Sequence, residues 1–313
     1  MLTVLLATRN RAAILRETLE AFCLLQQPPL GWKFVIVDNG STDQTPAVLA
    51  SFANRLPLHT VCELTAGKNS ALNTGLGLVE GDLTVFTDDD TFPHTDWLVE
   101  LRSAADVQPA YSVFGGAVVP RWEVPPPQWV QWLPQGPVYT LTDPSMKEGP
   151  LPPFLVFGPN MAIRTSVFQS GVRFDSSIGP RASDTYPMGS ETELTLRLDR
   201  EGHKAWFVPS AIVEHFIRGD QMHKSWVLKR AIRYGRGTFR LRDIMTNSET
   251  DRSRLEVPVP PRLFRKVVRQ AMRVVRAWLR ADEQELFSAR WKLNWLWGQL
   301  IEERVSHRRI RAI

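Results

Sequence analysis

The sequence predicts an α/β protein whose first third forms a doubly wound, mostly parallel sheet. Leu2–Ala7, Lys33–Val37 and Leu83–Phe86 are largely apolar runs, as expected of strands that are buried on both faces. The segments between them repeat apolar residues every three or four positions, which is the period of an amphipathic helix. Strands and helices that alternate over short connections favour a doubly wound domain over residues 1–107.

The other elements of this domain follow from local signals. Asn10 can cap a first helix, whose apolar positions continue to Phe22. The second strand ends on Asp38–Asp43, a segment of turn formers and helix caps, and a second helix follows it. Leu58–Cys62 has the character of a third strand, and Gly67–Gly77 contains a third helix.

Beyond residue 107 the pattern becomes less regular. The predicted elements are strands at Val113–Val119, Phe154–Arg164, Trp206–Val208 and Ala211–Val213, and a helix at Ser190–Arg200. The segment Pro120–Pro153 is rich in proline and tryptophan. A connection this long in a compact domain is usually functional or mobile.

The C-terminal part of the chain is basic and amphipathic. The net charge is +5, and the positive residues are densest between Arg262 and Arg280. Apolar residues recur there at three and four positions, with arginine and lysine between them. Such a helix either packs on the rest of the protein with a solvated cationic face or docks on an anionic membrane surface. No recognised nucleic-acid-binding fold accompanies the charge, so we expect no nucleic-acid partner.

Composition sets broad limits on the kind of protein. The chain has 313 residues, of which 43% are hydrophobic and 23% charged, as in ordinary globular proteins. Its two cysteines, Cys23 and Cys62, lack metal-site spacing and predict buried thiols in a reducing compartment. No apolar run reaches about 18 residues. We therefore expect a cytoplasmic protein, with peripheral attachment to the cytoplasmic membrane face as an option.

Three consecutive carboxylates, Asp88–Asp90, follow the strand Leu83–Phe86. Adjacent acids repel one another and are tolerated where water or a cation compensates their charge. At the carboxyl end of a buried strand they favour a divalent cation bound together with phosphate groups. The alternative is an acidic turn at a helix N-terminus. Asp38 also directly follows a strand. Its side chain either contacts a ligand or caps a turn or helix.

Taken together, the motifs of the chain resemble the GT-A-fold glycosyltransferases of family 2. The resemblance rests on seven features that occur in order between about Leu2 and Arg240: ATRNR at 7–11, VIVDNGSTDQT at 35–45, GKNSALNTG at 67–75, FTDDDTFP at 86–93, FGPNMAIR at 157–164, GSETELTLRL at 189–198, and His215. It implies a Rossmann-like nucleotide-binding sheet fused to an acceptor-binding half, with a C-terminal helical extension.

The resemblance implies roles for residues at the donor site. Asp38 would accept a hydrogen bond from the nucleotide base, with Thr8 and Arg9 lining the same pocket. Lys68 would lie near the base or the diphosphate, and Asp88 would contact the ribose. Asp89 and Asn160 complete the implied nucleotide-sugar-binding set, with Asn160 near the acceptor.

The resemblance also implies a metal and a general base. Asp90 would bind the divalent cation, Mn²⁺ or Mg²⁺, with His215 as a further metal ligand or diphosphate contact; imidazole suits Mn²⁺ better. Glu191 falls at the position of the general base that takes the acceptor hydroxyl proton. Family members usually show Glu-Asp there, whereas this chain has Ser190-Glu191, and Glu193 is the alternative acid.

The implied activity is the inverting transfer of a single sugar from a nucleoside-diphosphate sugar, with UDP as the family's commonest nucleotide. Processive members carry Gln-x-x-Arg-Trp, which is absent here. A glycan or lipid-linked acceptor is expected, and Pro120–Pro153 would form its wall or lid, or else a small satellite core around Trp129 and Trp132. The expected parts are residues 1–107, 108–220 and 221–313. Two alternatives remain open: a sugar-phosphate nucleotidyltransferase and a non-catalytic membrane-docked protein.

Overall fold

The first half of the fold is a parallel sheet with helical crossovers. The computed structural model describes residues 1–181, 185–246 and 260–310. Its first strands are β1 (Leu2–Thr8), β2 (Trp32–Asp38), β3 (Leu58–Cys62) and β4 (Leu83–Phe86). They pair in parallel in the order β3-β2-β1-β4. The side chains of β1, β2 and β4 are almost all buried, which explains their continuous apolar sequences.

Three helices connect these strands, and a fourth follows the triple aspartate. They are α1 (Ala12–Phe22), α2 (Thr45–Phe52), α3 (Lys68–Leu76) and α4 (Trp97–Val107). Each buries the face that carries its periodic apolar residues, as with Leu15, Leu19 and Phe22 of α1. The predicted cap is wrong, because Asn10 adopts φ 52° and Arg11 occupies the N-cap position without a side-chain capping hydrogen bond.

The second half extends the same sheet with antiparallel strands. They are β5 (Thr91–Pro93), β6 (Val113–Trp122), β7 (Gly149–Leu151), β8 (Met161–Arg164) and β9 (Ala205–Ile217). The described residues thus form one nine-stranded sheet in the order β3-β2-β1-β4-β8-β6-β9-β5, with β7 paired to β9. The remaining helices are α5 (Gln135–Tyr139), α6 (Thr165–Gln169), α7 (Ser190–Arg200), α8 (Lys224–Thr246), α9 (Pro260–Leu279) and α10 (Glu283–Ile310).

Three local predictions are wrong, two in this half and one in the first. Only Met161–Arg164 of the expected strand 154–164 forms a paired strand, because Pro153 and Pro159 lie in short 3₁₀ turns. The two short strands expected around Pro209 are one continuous strand, β9. Pro209 is tolerated there because it lies between the stretch that pairs with β7 and the stretch that pairs with β5. Neither cysteine is buried as expected: Cys62 is exposed on the edge strand β3, and Cys23 is half-buried.

The chain divides into two compact units. The first comprises residues 1–121, 140–182 and 190–216, and one of its buried apolar clusters lies between the sheet and helices α3, α6 and α7. The second comprises residues 122–139, 183–189 and 217–313; within the two units, residues 182–184, 247–259 and 311–313 lie outside the described ranges. The predicted division at residues 107 and 220 stays a prediction.

Within the second unit, helices α8 and α10 pack closely. A Cβ at Gly235 would overlap the backbone carbonyl of Trp295, so only glycine fits there. Glu302 of α10 is buried and accepts hydrogen bonds from Arg236 (2.8 Å) and Arg240 (2.5 Å) of α8. The unit is thus held by both close backbone approach and a buried ion pair. None of the helices in the described ranges is long and apolar enough to cross a bilayer.

The tryptophans of the 120–153 segment also pack within the second unit. The ring of Trp129 meets that of Phe287 of α10 edge to face at 5.1 Å, and the backbone carbonyl of Trp132 lies 3.4 Å from the hydroxyl of Ser288. Val130 and Leu133 between them are buried. These contacts favour the satellite-core interpretation over a free lid.

Candidate functional site

The candidate site lies at the carboxyl ends of the parallel strands. Loops that leave β1, β2 and β4 there surround a cavity of about 280 Å³. This is the edge at which open α/β sheets bind ligands. The cavity is lined by Ala7, Thr8, Arg9, Arg11, Asn39, Gly67, Lys68, Asp88, Asp89, Asp90, Pro180 and Arg181. Acidic and basic groups therefore converge on one concave surface within the first unit.

Each aspartate of the triple has a different partner. Asp88 accepts a hydrogen bond from the Lys68 ammonium at 2.6 Å. Asp89 accepts one from the Thr8 hydroxyl at 2.7 Å. One oxygen of Asp90 lies 3.7 Å from Nε2 of His215. The strand end therefore splays three adjacent carboxylates towards three separate groups, which spreads their mutual repulsion.

The charge of this cluster is only partly compensated. Burial, and then the neighbouring carboxylate of Asp90, raise the pKa of Asp89 to about 7, although the Arg11 guanidinium opposes the rise. The Nε of Arg11 lies 4.0 Å from Asp89. A site that disfavours its own ionised carboxylates is one that an added cation would stabilise.

Lys68 joins the aspartates to a second acid. Its ammonium donates to Asp88 and also to Glu191, which is 123 residues away in the chain, at 2.9 Å. Burial alone would lower the pKa of Lys68, but the two carboxylates outweigh it and raise the pKa above its ordinary value. Lys68 is therefore a cation held between two acids.

The backbone before Lys68 is fixed by an asparagine that the sequence did not single out. Gly67 has φ 141°, a conformation open mainly to glycine, and its N–H donates to Oδ1 of Asn39 at 2.8 Å. The Asn39 amide donates in turn to the carbonyls of Glu63 and Thr65. Asn39 thereby ties the end of β2 to the start of α3 and positions Lys68.

The structure separates the two candidate acids of α7. Glu191 lies in the first turn and contacts Lys68, and a Cβ at Gly158 would come within 2.5 Å of its Oε1. Glu193 instead accepts a hydrogen bond from Arg197 at 2.9 Å. Glu191, rather than Glu193, is therefore joined to the group of acids around Lys68.

Asp38 and Asn160 are placed differently from the residues of the cavity wall. The Asp38 carboxylate is buried and accepts a hydrogen bond from the Ser41 backbone N–H at 3.0 Å, so the turn-cap role is present. Asn160 is fully buried. Its amide donates to the carbonyls of Ala117 and Ala211 and accepts from the Trp97 indole. Direct contact between Asn160 and a sugar is thus not supported, because its hydrogen-bonding groups stabilise the fold beneath the site.

The residues present fit a divalent cation that is shared with a ligand. Asp90 and His215 offer an oxygen and a nitrogen, a donor set that suits Mn²⁺. In the described part of the chain, no group of three or more His, Cys, Asp or Glu side chains is arranged to hold a metal. Diphosphate oxygens would have to complete the coordination, as they commonly do for such cations.

The structure brings together most of the predicted residues but not all of them. One cavity is lined by Thr8, Arg9, Lys68 and Asp88–Asp90. Glu191 contacts Lys68 of this lining, and His215 lies near Asp90. The sequence prediction missed Arg11, Asn39, Pro180 and Arg181. Arg11 and Asn39 stand within the ATRNR and DNGSTD motifs, so their positions after strands could have indicated them. Nothing in the local sequence marks Pro180 and Arg181.

Comparison with known proteins agrees with this geometry. The family model "Glycosyl transferase family 2" matches residues 3–171, more than half of the chain. The chain is 30% identical over 103 residues to a beta-monoglucosyldiacylglycerol synthase of Nostoc sp., covering 32% of this chain but only 22% of that protein. It is 24% identical over 249 residues to the probable glycosyltransferase YdaM of Bacillus subtilis, covering 75% of this chain and 54% of that one.

Solved structures share the fold at low sequence identity. The mannosyltransferase PcManGT of Pyrobaculum calidifontis, in complex with GDP-Man and Mn²⁺, has a TM-score of 0.59 and 17% identity over 95% of this chain and 87% of that one. TarS 1–349 of S. aureus, in complex with UDP-GlcNAc, has a TM-score of 0.53 and 15% identity over 95% and 91%. With the family match over residues 3–171, the chain belongs to glycosyl transferase family 2 and has the GT-A fold.

Proposed function

We propose that the protein is a metal-dependent, inverting glycosyltransferase that moves a single sugar from a nucleoside-diphosphate sugar to a hydroxyl acceptor. The observation that carries this proposal is the Lys68 ammonium, which links the aspartates after β4 to Glu191 at the start of α7. One group of side chains thereby combines carboxylates that would bind a cation, a base that would accept a proton and an ammonium that would contact a diphosphate.

The donor would bind along the strand ends. Thr8, Arg9 and Asp38 lie at the ends of β1 and β2, which run side by side with Thr8 opposite Asp38. We assign the nucleotide base to these residues and the ribose to Asp88. Arg9, Arg11 and Arg181 add positive charge around the cavity, which favours an anionic ligand. We propose a UDP-sugar as the donor; the solved neighbours bind UDP-GlcNAc and GDP-Man.

Asp90 and His215 would hold the divalent cation, Mn²⁺ or Mg²⁺. When bound, the cation offsets the negative charge that develops on the departing nucleoside diphosphate. Asp89 would stay a supporting residue, because its carboxylate is already engaged by Thr8 and lies beside Arg11.

Glu191 would act as the general base. It has to take the acceptor hydroxyl proton while that oxygen attacks the anomeric carbon from the face opposite the leaving group. Its Oε1 accepts a hydrogen bond from the Lys68 ammonium at 2.9 Å. We infer that the donor diphosphate draws the Lys68 ammonium towards itself, which frees Glu191 to receive the proton.

The acceptor is proposed to be a lipid-linked or cell-envelope glycan. The support comes from names of similar proteins. Besides the beta-monoglucosyldiacylglycerol synthase, the chain is 24% identical over 226 residues to a glucosyl-dolichyl phosphate glucuronosyltransferase of Haloferax volcanii, covering 70% of this chain and 69% of that protein. The first name includes a diacylglycerol lipid and the second a sugar carried on dolichyl phosphate.

The test is a donor screen with product identification. The full chain is incubated with Mn²⁺, diacylglycerol or polyprenyl-phosphate sugar acceptors, and UDP-glucose, UDP-GlcNAc, UDP-glucuronate or GDP-mannose. We expect release of a nucleoside diphosphate that depends on acceptor and metal, and a product of inverted anomeric configuration. Asp90→Asn should abolish turnover. Release of pyrophosphate from a nucleoside triphosphate and a sugar phosphate would show a nucleotidyltransferase instead.

A further inference from the structure

Helix α9 carries an exposed apolar stripe along its whole length. Phe264, Val268, Met272, Val275 and Leu279 recur at intervals of three and four and therefore share one face. Their exposed fractions are 63%, 43%, 49%, 55% and 70%. Side chains of this size are rarely exposed in a contiguous row unless the row is an interaction surface.

A second, basic band runs beside the apolar stripe. Its residues are offset by one position from the stripe, about 100° around the helix. They are Arg265, Arg269, Arg273, Arg276 and Arg280, all exposed. Arg273 pairs with Glu285, and the first turn of the helix contains no acidic residue. The apolar stripe and the basic band together make one amphipathic surface.

The opposite edge of α9 is already occupied. Leu263, Gln270 and Ala277 are buried, and the Gln270 amide donates to the Ala289 carbonyl of α10 at 3.1 Å. The helix is therefore anchored to α10 along this edge, which leaves the stripe facing outwards. Trp278, which is 67% exposed, borders the stripe near its C-terminal end.

We propose that α9 docks the protein on an anionic lipid bilayer, with the stripe in the acyl boundary and the arginine band against the headgroups. A helix that lies in a membrane interface needs this combination of a large apolar face and a cationic flank. A tryptophan at the edge of the apolar face suits the headgroup level. The inference is independent of the transfer chemistry, because no residue of the cavity takes part.

The charge of the surface argues against the other occupants. A second copy of the chain packed stripe to stripe would bring two arginine bands close together, which like charges disfavour. A nucleic acid would use the arginines but leave the apolar stripe in water, although that stripe is the most exposed apolar feature of the helix. An anionic bilayer accommodates both the apolar stripe and the basic band, because its acyl region takes up the stripe and its headgroups pair with the arginines.

Vesicle co-sedimentation of the full chain tests the proposal without any nucleotide sugar. We expect binding to vesicles of 70% phosphatidylcholine and 30% phosphatidylglycerol, and little binding to phosphatidylcholine alone. Arg265→Gln/Arg269→Gln/Arg276→Gln should weaken it about 100-fold, since each basic residue contributes about fivefold. Phe264→Gln/Met272→Gln should weaken it by at least tenfold, because the lost apolar area no longer enters the bilayer.

Matched controls separate this surface from general charge and hydrophobicity. Arg16→Gln/Lys147→Gln/Arg290→Gln removes the same charge elsewhere, and Leu24→Gln/Val107→Gln removes two side chains that are each 70% exposed. Both controls should bind vesicles like the parent chain, and all variants should keep its melting temperature.

Three results would overturn the proposal. One is vesicle binding that the α9 variants retain in full. Another is a parent chain that does not bind vesicles but forms a dimer in solution, with Phe264→Gln/Met272→Gln dissociating that dimer. The third is tight binding of a single-stranded oligonucleotide that displaces the vesicles and depends on the same arginines. Loss of sugar transfer with intact vesicle binding would instead count against the proposed function alone.

Discussion

The two glutamates of α7 show how a pair of acids in one turn can have different roles. Glu191 accepts a hydrogen bond from Lys68 beside the cavity, whereas Glu193 accepts one from Arg197 on the same helix. A helix turns about 100° per residue, so side chains two positions apart point about 200° apart. The assignment of the proton to Glu191 can therefore be tested against a neighbour of identical chemistry.

We expect Glu191→Gln to reduce kcat about 100- to 10,000-fold, the usual cost of losing a general base. Glutamine keeps the size of the side chain, so donor affinity should change little. Glu193→Gln should keep kcat and lower the free energy of unfolding by about 1 kcal/mol, through its weakened bond to Arg197. Steady-state kinetics and thermal melts measure both. An inactive Glu193→Gln beside a normal Glu191→Gln would assign the base to the other acid.

The predicted site residues that directly follow strands are those that the structure places together. Asp88–Asp90 and Thr8 could be placed together because the carboxyl ends of parallel strands share one edge. The bond between Lys68 and Glu191 could not be predicted, because it joins positions 123 residues apart. Asn160 shows the converse limit. Its motif indicates a ligand contact, but only the structure shows that its amide is used by the fold.

At the scale of elements, the short turn Gly158–Asn160 sets the room available to Glu191. A Cβ on Gly158 would lie 2.5 Å from Oε1 and 2.7 Å from Cδ and Cγ of Glu191. The obstacle is a side chain, not backbone, so an added methyl group would displace the glutamate without breaking the turn. The absence of a side chain at Gly158 thus leaves room for Glu191, the proposed general base.

Gly158→Ala should therefore lower kcat with a nearly unchanged melting temperature. A displacement of about 1 Å can cost about 100-fold in rate. Gly171→Ala is the control, since Gly171 has φ 96° and nothing within 4 Å of its Cβ position. That variant should destabilise the fold by about 1–2 kcal/mol and leave kcat unchanged. A Gly158→Ala enzyme with full kcat would remove the proposed constraint on Glu191.

An element can be predicted from the sequence to the extent that its own residues, and not distant pairing partners, determine its structure. The parallel strands β1, β2 and β4 were predicted within two residues, because long buried strands leave an unambiguous apolar run. The antiparallel half was predicted less well. Short strands such as β5 and β7 have three residues each and take their structure from pairing with β9. Pairing partners that are distant in sequence leave no local period to detect.

At the scale of the whole molecule, the binding of a divalent cation and the binding of a nucleoside diphosphate are expected to depend on each other. The reason is the small number of protein groups available to the cation. We proposed Asp90 and His215, which approach within 3.7 Å, as its two side-chain ligands, and the described residues contain no cluster of three or more potential ligands. A divalent cation held by two side chains and several waters binds weakly. A diphosphate that replaces those waters raises the affinity, and the coupling is reciprocal by thermodynamic necessity.

We therefore expect Mn²⁺ and the nucleoside diphosphate to stabilise the protein synergistically. Either ligand alone should shift the melting temperature little, whereas both together should raise it strongly, since ligands that bind only the folded state add to its stability. Calorimetric titration should show that each ligand raises the affinity of the other by the same factor, about 5- to 150-fold. Asp90→Asn should remove this coupling, while Asp96→Asn, outside the cavity lining, should retain it. Strong stabilisation by Mn²⁺ without nucleotide would show that the protein completes the metal site by itself.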